Sequence, residues 1–451
     1  MNDPSLKRTI TKTSAILLVV SAIVGSGIFK KVTPMAQALH SPVLILTCWA
    51  LAGALSLMGA LSNAELASMM PGSGGEYIYF KKIYGRFFSF LYAWGNLVVM
   101  KSATIAALAY VFAESSHELF PGISNFLGGS RSVQILASLL IIGLSYINHR
   151  GVALGEKISR YLIAGIVLSI LAFVILAATS GKGNINHFSQ TNLNAPSGWA
   201  LFSAMFAASL SAFWGYEGWN NIGFIGEEVK NPKRNIPIAL GVGTLVVITL
   251  YLLVNTVYLY IIPIDQLEDF RPNQIAAVET ARVLSGNFGV ILLSLLIFLT
   301  TFNCTNGTIL LSARIFYAMA RDGLFLKKAG QIHPVYETPS YAIRIQAIWS
   351  VVLVWSGSFD ALTDLLVFAS FIFYGAAAFG VIVLRKKEPE APRPYRVATI
   401  VPILFSVFCF VLVVVSIVNQ PLQAAIGLLL IGGGVPVYLY YRRLGGDKVS
   451  H

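Results

Sequence analysis

The stretch SAIVGSGIF, from Ser21 to Phe29, interrupts the first long apolar run of the chain with two glycines and a serine. Glycine weakens a helix interior by roughly 0.5–1 kcal/mol relative to alanine. In a membrane, non-helical backbone is tolerated only where it is buried in protein or lines a cavity, because the hydrocarbon offers no water to freed backbone groups. If this run crosses a membrane, the break predicts a cavity.

The composition of the whole chain is that of a membrane protein. Of its 451 residues, 56% are hydrophobic and 12% are charged, whereas soluble domains carry about 25% charged residues. A membrane-spanning helix needs roughly 20 predominantly apolar residues. By that measure we predict an all-α polytopic membrane protein with twelve transmembrane helices. The predicted spans are 13–37, 43–67, 87–113, 132–148, 161–179, 198–225, 237–262, 287–318, 341–357, 361–384, 399–418 and 422–441.

The basic residues are distributed unevenly between the two sides of these spans. Most of the 32 lysines and arginines fall in loops on the side of the termini, and only Arg131, Lys182, Arg271 and Arg282 fall in loops on the other side. Because cytoplasmic loops are enriched in lysine and arginine, we predict a multi-pass protein of the cell (cytoplasmic) membrane with both termini in the cytoplasm. The lipid bilayer then accounts for the net charge of +12, and no nucleic-acid partner is predicted.

The residues that an intramembrane enzyme would need are missing from the span centres. The six histidines avoid those centres, and neither H-E-x-x-H nor G-x-S-x-G occurs. We therefore predict no enzyme, no metal site and no cofactor. A channel would usually show a selectivity loop or a ring of charges from identical subunits. The internal repeat described below fits a transporter that works by alternating access better than it fits a channel.

All three cysteines, Cys48, Cys304 and Cys409, fall within predicted spans. We interpret them as small apolar residues in helix packing. The loop at 114–131 contains no cysteine, so no disulfide-linked heavy chain is expected. The predicted assembly is a monomer or a homodimer.

A second break echoes the first. AFWGYEGWNN, from Ala212 to Asn221, places two glycines, Glu217 and two asparagines inside the sixth apolar span. The two breaks start five spans apart, and an odd number of spans inverts the second unit relative to the first. A pair of glycine-interrupted spans at corresponding positions of two halves indicates the central site of a transporter.

The chemistry of the first break suits an amino acid. The N–H groups of Ser26, Gly27 and Ile28 begin the second half-helix and present positive charge to a carboxylate. The carbonyls that end the first half, from Ala22 to Val24, face an ammonium, and carbonyls of the second break complete that site. A ligand with both groups on one carbon is an amino acid.

The sequence resembles the amino acid–polyamine–organocation (APC) superfamily, and within it a bacterial-type member of the L-type amino-acid transporter (LAT) family. The motifs that carry the resemblance extend over about 400 residues in order. They are VGSGIF (24–29), ALSNAELASMMPGSGGEYIYFKKIYG (60–85), GYEGWNNIGFIGEEVKNPKRNIPIA (215–239), SARIFYAMARDGLFL (312–326), RPYRVATIVPI (393–403) and GVPVYLYYRR (434–443).

This resemblance implies the LeuT-like (APC) fold, a five-plus-five inverted repeat followed by two further helices, with alternating access between an outward and an inward state. The single transporter domain, 1–451, would comprise a first repeat of helices 1–5 at 12–180 and a second of helices 6–10 at 198–384. Helices 11 and 12 would occupy 399–441. Helices 1 and 6 are the broken ones.

The resemblance also implies a set of site residues. Ser26, Gly27 and Ile28 would take the substrate carboxylate, and carbonyls near Ile23 and from Phe213 to Glu217 would take the amino group. Trp214 matches the aromatic residue that acts as a lid over the substrate in this family, and a packing role is the alternative. The predicted substrate-binding set is Ile23, Val24, Gly25, Ser26, Gly27, Ile28, Phe213, Trp214, Gly215 and Glu217.

Four further polar residues are candidates for coupling transport to an ion. Glu217 has three open roles: contact with a substrate amino group or cationic side chain, protonation, or a structural acceptor at the break, which we favour. Lys101 should face the interior with a carboxylate or carbonyl partner, because charge at membrane depth is costly. Asn303 and Thr305 of the polar stretch TTFNCTNGT (300–308) could serve an ion site, although helix packing is the favoured interpretation.

Two positions bear on gating and coupling. Lys30 and Lys31, just past the first break, are expected at the lipid interface, and a position in the outer vestibule, where they would attract anionic groups, is the alternative. Many relatives carry a lysine midway along helix 5, and the matching position here is Gly165 or Ile166.

We predict a transporter of neutral L-amino acids that works by exchange. Proton-coupled symport is the first alternative, and an amino-acid sensor on a transporter scaffold is the second.

Overall fold

A computed structural model describes residues 8–72, 74–120, 122–127, 129–151, 155–190, 195–271 and 274–446. Within these ranges the ordered backbone is helical, and extended pairing is limited to a single parallel bridge between Ile10 and Val229. The termini, whose cytoplasmic location was predicted, lie outside the described residues. The predicted all-α architecture is confirmed.

Nineteen α-helices can be traced in the described residues. Those of the first part are α1 (Lys12–Ile23), α2 (Gly27–Lys30), α3 (Val32–Leu39), α4 (Pro42–Met69), α5 (Glu76–Tyr84), α6 (Arg86–Gly95), α7 (Lys101–Leu119), α8 (Ile123–Phe126), α9 (Ser132–His149) and α10 (Gly155–Thr179). Those of the second part are α11 (Gly198–Gly215), α12 (Pro232–Ile261), α13 (Ile264–Glu268), α14 (Ala276–Arg321), α15 (Ser340–Ser356), α16 (Phe359–Lys387), α17 (Ile400–Asn419), α18 (Pro421–Gly432) and α19 (Gly434–Tyr441).

Local sequence determines where several of these helices begin. The Thr11 hydroxyl accepts a hydrogen bond from the backbone N–H of Ser14 and caps α1. The Ser358 hydroxyl does the same for α16. Such caps pair backbone donors that have no partner within the helix. Pro42 and Pro232 occupy the first turns of α4 and α12, where a missing N–H costs nothing.

Ten helices of the described chain are long and apolar enough to cross a membrane. The other two predicted spans correspond to shorter elements, namely the broken run α1–α3 and α15, which has 17 residues. The chain is therefore a multi-pass membrane protein, and the count of twelve spans stays a prediction.

The backbone leaves helical geometry at both predicted breaks. α1 ends at Ile23, α2 begins at Gly27, and α2 runs on into α3. α11 ends at Gly215, and Gly218 follows with a φ of 112°, which glycine adopts without a steric penalty. The chain continues as a 3-10 helix, Trp219–Phe224. Each break therefore separates two helical segments of one apolar run.

The span Arg86–Leu119, which contains α6 and α7, is the most enclosed of the ten. In the most apolar stretch of this span, 94% of the residues are buried inside the protein, whereas in that of Tyr161–Thr179 only 22% are. A π-helical turn, Asn96–Met100, joins α6 to α7, and such turns are frequent at functional sites. α7 thus lies at the centre of the bundle, and it begins with Lys101.

α14 is a helix of 46 residues that bends at Ser285 and Gly286. Gly286 has a φ of 61°, which most residues other than glycine adopt only at a cost. The predicted span 287–318 starts just after this bend. The bend therefore separates the membrane-spanning part of α14 from the segment 276–284 that precedes it.

A cluster of charges fastens the connection between α16 and α17 to α4. The buried Glu65 carboxylate accepts hydrogen bonds of 2.9 and 2.5 Å from Arg385. Arg385 also donates to the Val397 carbonyl at 2.6 Å and to the Thr399 hydroxyl at 2.9 Å, and Arg393 lies 3.6 Å from Glu65. Removal of one partner from a buried ion pair of this kind leaves the other charge uncompensated.

We expect Arg385→Ala to lower the free energy of unfolding by about 3 kcal/mol, because Glu65 would stay buried without its closest cation. Thermal unfolding of the purified protein in detergent measures this change. The neighbouring exposed Lys386 supplies the matched control Lys386→Ala, which should unfold like the parent. Equal unfolding temperatures for both variants would contradict a stabilising role of the cluster.

Candidate substrate-binding site

The two helix breaks lie directly against each other. A Cβ atom added to Gly27 would come within 2.5 Å of the Cα atom of Gly215. One added to Gly218 would come within 2.2 Å of the Ala22 carbonyl oxygen. Backbones approach this closely only where side chains are absent. The glycines of the two breaks therefore hold the two non-helical segments in contact.

A small cavity of about 20 Å³ lies between the breaks. A space of this size holds about one water molecule, so the two breaks close tightly around the site in this state. The walls come from both breaks, α7 and α14. The lining residues are Ala22, Ile23, Gly25, Ser26, Gly27, Thr104, Leu108, Trp214, Glu217 and Cys304.

One wall of the cavity presents hydrogen-bond donors. Ser26 Oγ and Trp214 Nε1 are buried and have no hydrogen-bond partner among the described residues, whereas buried polar atoms are normally paired. Ser26 precedes α2. The first N–H groups of α2, on Gly27 and Ile28, have no partner within the helix and form the positive end of its dipole. This wall suits an acceptor such as a carboxylate.

The structure brings six of the predicted substrate-binding residues together and leaves four outside the cavity wall. The six are Ile23, Gly25, Ser26, Gly27, Trp214 and Glu217, and the four are Val24, Ile28, Phe213 and Gly215. Phe213 packs on the rings of Phe371 and Phe408, with centroid distances of 4.6 and 5.4 Å. Gly215 packs against Trp49 as well as Gly27. The side chain of Phe213 therefore belongs to the bundle interior, and the roles of all ten stay predictions.

Three lining side chains were missed by the sequence analysis. Thr104 and Leu108 of α7 follow Lys101 by three and seven residues, so they share one helix face with it, and that spacing could have identified them. Leu108 lies 3.0 Å from the position of a Cβ atom on Gly25. Cys304, interpreted as a packing residue, also lines the cavity.

The last turn of α1 is held by two other helices. The Tyr251 hydroxyl of α12 donates a hydrogen bond of 3.0 Å to the Ile23 carbonyl. The Cys304 thiol of α14 lies 3.7 Å from the Ala22 carbonyl oxygen. These contacts pair carbonyl groups that the break releases from the helix, as a membrane interior requires.

The two candidate residues of α14 have different surroundings. The Asn303 amide donates a hydrogen bond of 2.8 Å to Ser21 Oγ and so ties α14 to α1. The Thr305 hydroxyl donates a hydrogen bond of 2.6 Å to the Thr301 carbonyl of its own helix. Both contacts are those of helix packing, and the part of either residue in an ion site stays a prediction.

Lys101 and Glu217 form a buried ion pair beside the cavity. Lys101 Nζ lies 3.2 Å from Glu217 Oε1, and the two side chains are 3% and 7% exposed. Lys101 also donates to Asn221 Oδ1 at 2.9 Å. The Tyr374 hydroxyl lies 2.7 Å from Glu217 Oε2. Glu217 therefore meets both a cation and a phenol at the second break. Lys101 has a carboxylate partner, one of the two kinds of partner that we predicted.

A second carboxylate anchors the segment after this break. The buried Glu76 accepts hydrogen bonds from Asn220 at 2.9 Å, Asn63 at 2.7 Å and Tyr92 at 3.0 Å. Burial raises the pKa of the Glu76 carboxyl, while the Asn220 hydrogen bond and the Lys101 charge oppose that rise. Glu76 thus joins the 3-10 helix that carries Asn220 to α4 and α6.

A larger cavity of about 160 Å³, which we call the vestibule, opens on one side of the site. It is lined by α1, α14 and the segment after α11, including Ser21, Asn221 and Asn303. Ala22 and Cys304 line both the vestibule and the smaller cavity. The two spaces are therefore adjacent.

The expectation that Lys30 and Lys31 lie at the lipid interface is wrong. Both are buried, at 7% and 1% exposure. Lys30 pairs with Glu114 and Lys31 with Asp360, each at 2.6 Å. Their partners are 84 and 329 residues away in the sequence, so a local pattern could not reveal them. The two lysines face the protein interior on the side opposite the vestibule.

Comparison with known proteins gives consistent matches over nearly the whole chain. Residues 10–435 match the family model described as amino acid permease. The chain is 30% identical over 429 residues to the human b(0,+)-type amino acid transporter 1, covering 92% of this chain and 84% of that protein.

Two further relatives have similar identity. The human cystine/glutamate transporter is 29% identical over 437 residues, covering 97% of this chain and 85% of that protein. The serine/threonine exchanger SteT of Bacillus subtilis (strain 168) is 29% identical over 440 residues, covering 97% of each chain. All three names describe transport, so the prediction that the chain is not an enzyme is confirmed.

We expect Gly27→Ala to destabilise the protein by about 1–3 kcal/mol, because the added methyl group would overpack the contact between the breaks. The control is Gly165→Ala, at a position of α10 where no atom lies within 4 Å of an added Cβ. Thermal unfolding in detergent compares the two. If Gly27→Ala unfolds no earlier than Gly165→Ala, the breaks are not held by close backbone contact.

Proposed function

The chain belongs to the amino acid permease family, and from that premise we propose that it exchanges small neutral L-amino acids across the cell membrane by alternating access. One observation carries the proposal: the cavity between the two helix breaks has buried, unpartnered donors on one wall and a neutralised ion pair on another. A zwitterion with an uncharged side chain complements these walls.

In the proposed binding mode, the substrate carboxylate lies at the start of α2. The N–H groups of Ser26, Gly27 and Ile28 donate to it, together with Ser26 Oγ. The substrate ammonium lies near the carbonyls of Ile23 and of the second break, 213–217. Trp214 closes over the substrate as a lid, and its free indole N–H is available to the carboxylate.

The Lys101–Glu217 pair is the basis for proposing neutral substrates. Glu217 lines the cavity, but Lys101 balances its charge at 3.2 Å. A cationic substrate side chain would have to compete with Lys101, and an anionic one would meet Glu217. Leu108 and Cys304 limit the space for the substrate side chain, which favours alanine, serine or threonine.

We further propose the architecture that the family resemblance implies. Residues 12–180 and 198–384 form two inverted repeats, and 399–441 forms the last two of twelve spans. Both termini lie in the cytoplasm, which places the vestibule on the cytoplasmic side, because it is bounded by the N-terminal segment at Ile10. The protein works as a monomer or a homodimer without a disulfide-linked heavy chain.

Exchange is favoured over proton symport by three features. One relative bears the name serine/threonine exchanger. In addition, the helix-5 position at Gly165 or Ile166 carries no ionisable group, and α1 is tied to α14 by the neutral contact between Asn303 and Ser21. Symport through Glu217 and Lys101 is the alternative that the first experiment must separate from exchange, and a sensor without transport is the other.

Transport is tested with the purified protein in liposomes. We expect labelled L-serine to enter vesicles loaded with unlabelled L-serine and not empty ones, with or without a pH gradient. Uptake into empty vesicles driven by the gradient would establish symport instead. If folded protein carries no alanine, serine or leucine under any condition, the proposed function is wrong.

The neutral preference is tested by removing each member of the ion pair. In Lys101→Gln, the unbalanced Glu217 should make arginine a stronger inhibitor of serine uptake by about tenfold to a hundredfold, the value of a charged hydrogen bond. In Glu217→Gln, the unbalanced Lys101 should do the same for glutamate. The double variant is the matched control, and it should keep the parent's order of inhibitors.

If the parent and the three variants all show the same order of inhibitors, the ion pair does not determine which substrates are selected. A loss of serine uptake in the double variant together with normal thermal unfolding would assign the pair to the transport cycle rather than to selectivity.

A further inference from the structure

A compact group of side chains lies on the side of the substrate cavity opposite the vestibule. Lys30 Nζ is 2.6 Å from both carboxylate oxygens of Glu114. Lys31 Nζ is 2.6 Å from Asp360 Oδ1. The ring of Phe359 lies between the two lysines, with its centroid 4.8 Å from Lys30 Nζ and 4.9 Å from Lys31 Nζ. We call these five residues the outer clamp.

The outer clamp is in contact with the proposed lid. The rings of Phe359 and Trp214 meet edge to face, with centroids 6.1 Å apart. Phe359 is 5% exposed, so Trp214 is covered on this side by a ring that two ammonium groups hold in place. Cation–π contacts of this kind strengthen when the cation is desolvated. A ligand beneath Trp214 is therefore separated from this side by two aromatic layers.

The clamp joins the helix of the first break to two other helices. Lys30 ends α2, whose start at Gly27 lines the cavity. Glu114 belongs to α7, and Asp360 belongs to the first turn of α16. A tilt of α2 away from α7 and α16 would have to separate both ion pairs. The clamp thus connects the geometry of the substrate site to closure on this side.

The substrate cavity is closed on the clamp side and accessible on the vestibule side. On the clamp side, the pairs and rings close the path to the cavity. On the other side, the vestibule reaches Ala22 and Cys304, which also line the cavity. A transporter that is closed on one face and accessible from the other represents one state of an alternating cycle.

We propose that the outer clamp is the extracellular gate of this transporter, closed by the two ion pairs around Phe359 when the vestibule is open. This inference rests on the proposed alternating-access function. Opening requires that Lys30 separates from Glu114 and Lys31 from Asp360, which frees Phe359 and then Trp214 to move. The lysines are gating residues, and they do not contact the substrate.

The two pairs differ in how easily they open. Glu114 is 15% exposed and Asp360 is 54% exposed. Separation of a buried pair leaves charges without solvent, whereas a partly hydrated carboxylate retains water as a partner. Lys31 also donates to the Thr363 hydroxyl at 2.9 Å, and that contact can remain after Asp360 leaves. The Lys31–Asp360 pair therefore opens before the Lys30–Glu114 pair.

The test uses a native cysteine as a reporter. Cys304 lines the cavity, while Cys48 and Cys409 are buried elsewhere. With both replaced by alanine, a charged, membrane-impermeant methanethiosulfonate reagent is applied to right-side-out or to inverted membrane vesicles. The rate of Cys304 labelling then reports access from each side. In the parent, we expect fast labelling from the vestibule side and slow labelling from the clamp side.

In the variants Lys31→Gln and Asp360→Asn, we expect labelling from the clamp side to rise by about tenfold or more, the value of a charged hydrogen bond, because the ion pair between these residues is lost. Labelling from the vestibule side should fall. Lys30→Glu should have a similar effect, and Lys30→Glu with Glu114→Lys should restore closure. The control is Arg282→Gln, which removes partly exposed pairs with Glu279 and Glu118 and should leave both rates unchanged.

Clamp-side labelling at the parent rate in Lys31→Gln and Asp360→Asn would overturn the proposal, provided that vestibule-side labelling shows each protein to be folded. An equal rise in Arg282→Gln would overturn it too, since surface charge alone would then explain the change. Protection of Cys304 by L-serine is measured in parallel. Absence of protection in the parent counts against the proposed substrate and leaves the gate test valid.

Discussion

Backbone N–H and carbonyl groups that leave a helix inside a membrane have no water to bind, so the protein itself must supply their partners. At the first break, Tyr251 pairs the Ile23 carbonyl. At the second, Gly218 has the positive φ that lets the chain turn against the Ala22 carbonyl. The donors left over, at Ser26 and the start of α2, all face one small cavity. The position of the site therefore follows from which polar groups at the two breaks have partners within the protein and which do not.

Buried ion pairs are arranged around these breaks. Desolvation of the two charges often exceeds their attraction, so a buried pair is weak evidence for stability and better evidence for a choice between arrangements. Two of the pairs connect a broken helix to α7, and the third fixes the connection between α16 and α17 to α4. These pairs are Lys30–Glu114, Lys101–Glu217 and Arg385–Glu65. The first two are placed where movement of a half-helix would break them, and the third is not.

The helical class, the two breaks and the carboxylate partner of Lys101 could be predicted because each leaves a local mark in an apolar sequence. A glycine pair or a lone charge is conspicuous there. Thr104 and Leu108 could have been found only by their spacing from Lys101, because α7 is buried on all sides from Lys101 to Ala113 and burial therefore marks no face of it. Lys30 and Lys31 were misplaced because flanking lysines usually lie at an interface, and their partners come from distant helices.

The need to pair polar groups inside the membrane also supports the proposal that this protein works by exchange. Without substrate, Ser26 Oγ lacks a partner among the described residues, and the first N–H groups of α2 have none within their helix. A moving half-helix would have to carry these donors through the membrane. A bound amino acid supplies an acceptor for these donors and an ammonium for the opposing carbonyls. An empty carrier therefore faces a larger barrier than a loaded one, since a ligand favours whichever state it binds more tightly. The exchange that we propose therefore needs only this backbone pairing, and no titrating group in helix 5.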